Sequence, residues 1–147
     1  MNLALALAAL ALSPAGASCA KPVTHFPPDK NPSGGPTYSG AVLAGDTLYV
    51  AGTNDTDPAT GGPPPDPKVG AKIVLDNVRR VVEHAGFAMN DLVWVQIQAS
   101  DMRYYDAFNE VYRTYFTGPL PARAFLGSGS LLNGAHFELM GIAVRSK

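Results

Sequence analysis

The sequence predicts an α+β fold in which a mixed sheet carries two helices on one of its faces. Strand-like and helix-like segments follow one another in the order ββαβαββ, and strands that alternate with helices form a sheet against which the helices pack. Of the 147 residues, 46% are hydrophobic and 16% are charged, an ordinary globular composition. Several strands are also apolar on their second face, so we expect another copy of the chain to cover that face.

A hairpin opens the predicted domain, and a loop follows it. Val42 and Leu43 precede a turn at residues 44–46, and the strand-type residues 47–50 come directly after it. Residues 53–67 are rich in Asp, Thr, Gly and Pro, which predicts a loop.

A long amphipathic helix is predicted from Lys68 to His84. Apolar residues recur there at helical spacing, namely Ile73, Val74, Val78, Val81 and Val82. Asp66-Pro67 is a typical helix start, and Gly86 is a typical stop.

The second half of the chain adds a strand, a helix and two closing strands. Residues 91–99 alternate apolar with other side chains, which is typical of a half-buried strand. Residues 104–116 carry an apolar helical face and end before Gly118-Pro119. The two strand-like segments that follow each contain one charge, Arg123 in the first and Glu138 in the second.

Residues 1–20 resemble an export signal. The run of Leu and Ala at 3–12 is too short to span about 30 Å of hydrocarbon, and small residues suited to cleavage follow it. An ordinary N-terminal helix and a misassigned start are the alternatives. Cys19 is the only cysteine, and its context loosely resembles a lipidation site of bacterial lipoproteins. We therefore expect an exported protein, periplasmic or secreted, that is bound to a membrane only if Cys19 is lipidated.

Residues 21–37 are interpreted as a linker, and the domain is predicted over residues 38–147. Five prolines and two adjacent glycines fall in the linker segment, which predicts an extended, poorly packed chain. A domain this short has little room for a deep cleft of its own, so we expect a site at a subunit interface.

Charge and histidine placement narrow the function classes. The net charge is −1 and the basic residues are scattered, which gives no support for a nucleic-acid surface. The three histidines lack the spacing of metal ligands, so no metal site is predicted. Arg123 and Glu138 remain as candidates for chemistry. From the residues alone, an ion pair that fixes the register of the two strands explains them equally well.

These segments resemble the RidA/YjgF family of imine deaminases. The family signature is Pro-x-Arg followed, after a strand and a short loop, by an apolar residue and Glu. The matching segments are Pro121-Ala122-Arg123, Phe137-Glu138-Leu139, Asn109-x-x-Tyr112 in the second helix, and Gly45-Asp46 with Val50-Ala51-Gly52 in the hairpin. The resemblance covers Tyr38 to Arg145, which is nearly the whole predicted domain.

The resemblance implies a chorismate-mutase-like subunit that assembles as a homotrimer. The sheets would face a barrel-like centre, and three sites would lie in the clefts between subunits. The implied reaction is hydrolysis of a 2-imino or 2-enamino acid to the 2-keto acid and ammonia, with neither a metal nor an organic cofactor.

The resemblance also implies roles for individual residues. Arg123 would grip the substrate carboxylate through two parallel hydrogen bonds. Glu138 would act on the attacking water as a general base or orienting group. The other implied substrate-binding residues are Tyr38 as a wall, Asn109 as a polar support, Gly52, and Phe125 through its backbone N–H.

Three positions depart from the family pattern. Phe125 stands where a cysteine is frequent, Ala51 where a hydroxyl residue is frequent, and Thr53 where a glutamine is usual. The retained Arg123 and Glu138 predict retained chemistry, and the altered lining predicts an altered substrate.

Two other functions stay open at this point. One is a non-catalytic trimer that binds small carboxylates or acts as a chaperone-like binder through the Arg123 pocket. The other is ribonuclease activity, which is attributed to some members of the family. The near-neutral charge and the lack of a His/Lys pair at the site weigh against the second.

Overall fold

A computed structural model describes residues 21–28, 35 and 37–145 of the chain. The predicted export signal at 1–20, with Cys19, lies outside the described residues, as does most of segment 29–36. Among the described helices, none combines the length and the apolar character that crossing a membrane requires.

Six strands and two helices build the described part of the chain, joined by short 3-10 turns. In chain order they are β1 (Val23–Phe26), β2 (Ala41–Ala44), β3 (Thr47–Asn54), α1 (Pro67–His84), β4 (Leu92–Ala99), α2 (Tyr105–Tyr112), β5 (Ala122–Gly127) and β6 (Phe137–Val144). The predicted hairpin, both helices and the two closing strands are confirmed. The second helix is shorter than predicted, because 3-10 turns at Met102–Tyr104 and Arg113–Tyr115 flank its α-helical part.

The strands form one mixed sheet in the order β1-β2-β3-β6-β4-β5. Neighbouring strands run antiparallel except β4 and β5, which run parallel. A parallel pair needs a crossover connection, and α2 lies in the one between β4 and β5. α1 packs on β3 and β6 and also against α2. The predicted α+β class, with a mixed sheet and both helices on one face, is confirmed.

β1 corrects one prediction, because it lies inside the segment interpreted as a linker. It pairs with β2 from Val23 opposite Ala44 to Phe26 opposite Ala41. Phe26 also packs edge-on against His84 at the end of α1, with ring centroids 5.7 Å apart. A four-residue run between prolines is too short for its pattern to distinguish a strand from an extended linker. The prediction of a poorly packed linker is therefore wrong for this part of the segment.

α1 begins where the sequence predicts because Asp66 caps it. The Asp66 carboxylate accepts the backbone N–H of Lys68 at 2.8 Å, and Pro67 occupies the first turn, where its missing N–H costs no helical bond. Gly86 ends the helix with a φ of 77°, a left-handed conformation that favours glycine. The buried face of α1 consists of Gly70, Ala71, Val74, Leu75, Val78 and Val82, and it covers the central strands.

The sheet face away from the helices carries an apolar row that the described chain leaves uncovered. Cross-strand partners place Val42 beside Tyr49, Tyr49 beside Ile142, and Ile142 beside Trp94. We call these four residues the apolar row. Tyr49 is 51% exposed, and the other three are only half-buried. A contiguous exposed row of this kind is typical of an interaction surface.

Candidate active site

Arg123 is held on the helix-facing side of β5 by α2. Its register partner on β4 is the core residue Val95, so its side chain points toward the helices. Arg123 Nη1 donates to Asn109 Oδ1 at 2.7 Å, and Nη2 donates to the hydroxyl oxygen of Tyr105 at 3.4 Å. Asn109 is only 7% exposed. The buried Asn109 amide therefore orients the Arg123 guanidinium. This contact is the kind of polar support that the sequence predicts for Asn109.

Three aromatic rings surround the Arg123 guanidinium. Its central carbon lies 5.0 Å from the ring centre of Tyr112, 5.7 Å from that of Tyr105 and 5.8 Å from that of Phe125. Cation–π contacts of this length hold a guanidinium without neutralising its charge. Burial raises the pKa of Tyr112 to about 12, so this residue stays a neutral hydroxyl beside the cation near neutral pH. Arg123 is thus oriented and keeps its positive charge available for an anion.

Arg123 lines a cavity of about 180 Å³, which we call the guanidinium pocket. Its described lining residues are Tyr105, Asn109, Tyr112, Arg113, Leu120, Pro121 and Arg123. Phe125, expected at the substrate, is absent from this lining. Its ring packs edge-on against Tyr105 and Phe108, with centroids 5.0 and 5.5 Å away, and supports the guanidinium from behind. The bulky Phe125 therefore belongs mainly to the packing around Arg123.

The Glu138 side chain lies on the sheet face opposite to that of Arg123. It alternates along β6 with the core residues Phe137 and Leu139, and its register partner on β4 is Gln98. Glu138 lines a second cavity of about 210 Å³, which we call the carboxylate pocket. Two further expected site residues, Tyr38 and Gly52, line the same pocket, so the structure brings these three together. Tyr38 is 56% exposed, as a wall at an open site would be.

Gly52 gives the Glu138 carboxylate the room it occupies. A Cβ atom at position 52 would lie 2.1 Å from Glu138 Oε1 and 3.1 Å from its carboxyl carbon. The pairing of β3 with β6 is also irregular between Val50 and Thr53, as in a β-bulge. Glycine in a strand is typical of such bulges and of close approaches. The acid can therefore lie against the backbone of β3 only while residue 52 lacks a side chain.

The two pockets are separate within one chain. β4 lies between β5 and β6, and Arg123 and Glu138 leave the sheet on opposite faces. An ion pair between them that fixes strand register is therefore excluded within the chain. Neither of the two pockets is lined by both groups.

A buried aspartate anchors the strand that carries Glu138. Asp55, at 0% exposure, accepts the backbone N–H groups of His136 at 2.9 Å and Phe137 at 3.2 Å through one oxygen. Its other oxygen lies 2.9 Å from His136 Nδ1. Gly70 of α1 makes room for it, because a Cβ there would lie 2.3 Å from Asp55 Oδ2. His136 is therefore part of this anchor.

Asp55→Ala is expected to lower the free energy of unfolding by about 3–5 kcal/mol, because two backbone N–H groups and the His136 ring lose one buried partner together. Asp55→Asn is the matched control. Its amide oxygen still accepts both backbone bonds, so we expect less than half of that loss. Urea denaturation followed by circular dichroism measures both variants. Equal losses of unfolding free energy in the two variants would show that the hydrogen bonds from the backbone N–H groups to Asp55 do not stabilise the fold.

Tyr105 and Tyr112 also line the guanidinium pocket, although no role for either residue is predicted from the sequence. The signal for them is helical spacing, because residues 105, 109 and 112 recur every three or four positions and share one face of α2. That face lies over Arg123 on β5. As for metals, the described residues contain no group of three or more His, Cys, Asp or Glu side chains that could hold an ion.

Comparisons with known proteins agree with this architecture. The family model described as Endoribonuclease L-PSP matches residues 29–145. The 2-iminobutanoate/2-iminopropanoate deaminase of Mus musculus is 37% identical over 109 residues, which are 74% of this chain and 81% of the mouse protein.

Solved structures give the same result. RidA from the Antarctic bacterium Psychrobacter has a TM-score of 0.73 and 31% identity, with 83% of this chain and 99% of that chain covered. Escherichia coli TdcF with bound serine has a TM-score of 0.72 and 27% identity, with 83% and 94% covered. The chain therefore belongs to the Endoribonuclease L-PSP family, which is the RidA/YjgF family that its motifs indicate.

Proposed function

We propose that this chain is the subunit of a homotrimeric deaminase that hydrolyses 2-imino or 2-enamino acids to 2-keto acids and ammonia. The observation that carries the proposal is the presence of two complementary half-sites. One holds an oriented, charged Arg123, and the other holds Glu138 against Gly52. The name of the mouse relative supports the reaction, and the serine bound to TdcF supports a ligand of amino acid size.

The proposed active site lies between neighbouring copies. The apolar row needs a cover, and three copies packed around a common axis supply one through equivalent contacts. The same contacts would set the guanidinium pocket of one copy against the carboxylate pocket of the next. The assembly would thus join two groups that a single chain keeps on opposite faces of its sheet.

Arg123 binds the substrate carboxylate in this proposal. A guanidinium presents two parallel N–H donors to a carboxylate, which fixes the plane of the substrate as well as its position. Such a charge-assisted contact contributes about 1.5–3 kcal/mol when it is shielded from water. Asn109 and the three aromatic rings already orient Arg123, so little side-chain entropy is lost on binding.

Glu138 acts on the water molecule that attacks the imine. As the water oxygen bonds to C2, one water proton passes to the Glu138 carboxylate, and the electron pair of the C=N bond moves to nitrogen. Glu138 returns this proton to the nitrogen, which gives an amino alcohol. The hydroxyl proton of the amino alcohol then passes to the amino nitrogen, the C–N bond breaks to release ammonia, and the C=O bond of the keto acid forms. One water is consumed for each imine. No electrons are gained or lost, so the balance requires no redox partner.

A direct test supplies imino acids from an amino acid oxidase and follows release of the keto acid. Acceleration that scales with the amount of added protein supports the proposal. The competing binding function predicts a different pattern, in which small carboxylates bind and Arg123→Ala abolishes that binding, while no imino acid is hydrolysed faster than in buffer. That second pattern would replace the deaminase proposal.

Gly52→Ala is expected to lower kcat about 10- to 100-fold, because a displacement of about 1 Å at a catalytic group costs rates of this order. The added Cβ would overlap Glu138 Oε1 and push the carboxylate away from its position. Gly62→Ala is the matched control, since a Cβ there meets nothing within 4 Å. Steady-state kinetics compares the two variants. Unchanged kcat in Gly52→Ala would show that the position of Glu138 against β3 does not matter.

RNA cleavage is not proposed, although the family model carries an endoribonuclease name. The net charge is −1, which gives no electrostatic support for binding phosphates. The described lining of the two pockets also includes no histidine and no lysine, so the usual proton-transfer group of such a reaction is lacking there.

We also infer that the protein is exported. The support is the short apolar run at 3–12 followed by the small residues 15–20. N-terminal sequencing of protein recovered from the periplasm tests the inference. A mature start after Ala17 or Ala20 agrees with it, and an intact Met1 in that fraction contradicts it.

A further inference from the structure

We propose that the guanidinium pocket binds a second carboxylate, so that the preferred substrates are 2-imino dicarboxylic acids, the imines of acidic amino acids. The reaction itself is the one proposed above, and this inference rests on it. What is added is the substrate class, and a second arginine in the pocket carries it.

Arg113 lines the guanidinium pocket together with Arg123. It follows Asn109 by four residues, where α2 passes into the 3-10 turn Arg113–Tyr115. Side chains four residues apart leave a helix on the same side, with Cβ atoms about 6 Å apart. Because Asn109 binds Arg123 at 2.7 Å, the two arginines enter one pocket as neighbours.

The pocket contains two cations, and its described lining includes no acid. Its other described lining residues, Tyr105, Asn109, Tyr112, Leu120 and Pro121, are neutral. Within the described part of the chain, the Arg113 guanidinium has neither a hydrogen bond nor an ion pair. Arg79 and Arg103, in contrast, pair with Asp76 and Asp101. Two cations that share a cleft repel each other and raise the local concentration of anions, so the pocket favours a ligand with more than one negative charge.

The buried Tyr112 hydroxyl is a second, independent indication that this pocket binds a ligand. Tyr112 is 2% exposed and lines the pocket, and its buried hydroxyl has no hydrogen-bond partner among the described residues. A buried polar group without a partner is unfavourable. A carboxylate oxygen, or a water molecule that it brings into the pocket, would satisfy this hydroxyl.

A short dicarboxylate is the kind of ligand that could contact two arginines lining one pocket. In a five-carbon 2-imino dicarboxylic acid the two carboxylate carbons lie roughly 5 Å apart when the chain is extended. In the proposed binding mode the carboxylate next to the imine binds Arg123 and the distal carboxylate binds Arg113, which lines the same pocket. Leu120 and Pro121, also in the lining, provide apolar surface for the methylene groups.

The test compares the imine of glutamate with that of norvaline, which has the same number of carbons and lacks the second carboxylate. Each imine is generated by an amino acid oxidase. Arg113→Gln is expected to lower the ratio of kcat/KM for the glutamate imine to kcat/KM for the norvaline imine about tenfold. Arg103→Gln, an exposed arginine outside the pocket, should not change this ratio. The same ratio of the two kcat/KM values in wild type and Arg113→Gln overturns the proposal.

Measurements of equilibrium binding test the preference for a second carboxylate without relying on catalysis. Calorimetric titration with 2-oxoglutarate and 2-oxopentanoate measures the preference for a second carboxylate directly. Tighter binding of 2-oxoglutarate that disappears in Arg113→Gln supports the proposal even if no imine is hydrolysed faster, in which case only the deaminase function fails. Equal affinities of wild type for the two acids overturn the proposal whatever the kinetic outcome.

Discussion

Glu138→Gln is expected to lower kcat for imine hydrolysis by about 10²- to 10⁴-fold, the range that a general base contributes. Glutamine fills nearly the same space against Gly52 and keeps one oxygen acceptor, but it cannot take a proton from water. KM should change only a few-fold, because Arg123 binds the substrate carboxylate in the other pocket. Initial rates at saturating and at low concentrations of imino acid separate the two parameters.

Glu110→Gln is the matched control for this loss. It removes the same charge from an exposed pair with Lys68, outside both pockets, and it should leave kcat unchanged. Circular dichroism of both variants excludes unfolding as the cause. If Glu138→Gln keeps the wild-type kcat, or loses activity only through KM, Glu138 is not the base of the reaction.

Much of the fold could be predicted because its signals are local. Asp66, Pro67 and Gly86 mark the ends of α1, and the apolar spacing between them fixes its buried face. β1 carries no such signal, because its four residues become a strand only by pairing with β2. A linker and an edge strand have the same local preference for extended backbone, and only the distant partner separates them.

The residues of the candidate site could be selected from the sequence, but their placement relative to one another could not. Arg123 and Glu138 stand out as single charges in apolar strands, which is a local feature. Their placement on opposite faces depends on β4 lying between β5 and β6, which is a property of the whole sheet.

The burial of Asp55 is a second feature that could not be predicted from the local sequence. This residue lies in a segment of Asp, Thr, Gly and Pro that is typical of an exposed loop. Its complete burial results from contacts with His136 and Gly70, one far along the chain and the other on α1. No local pattern distinguishes this aspartate from a solvated one.

Two inactive variants are expected to restore activity when they are combined in one trimer. Arg123→Met leaves the guanidinium pocket without its cation, and Glu138→Gln leaves the carboxylate pocket without its base. In a closed ring of three sites, each built from Arg123 of one copy and Glu138 of the next, every mixed trimer contains one site with both groups intact. Random assembly of equal amounts makes about three quarters of the trimers mixed, so about one quarter of wild-type activity returns.

Co-expression of the two chains with different affinity tags yields the mixed trimers, and the imino acid assay measures them. Glu138→Gln co-expressed with the double variant Arg123→Met/Glu138→Gln is the control, because no copy then supplies an intact Glu138 and activity should stay absent. If both groups worked within one chain, every copy in the first mixture would also lack one of them and no activity would return. The placement of Arg123 and Glu138 on opposite faces of a single sheet favours the first outcome.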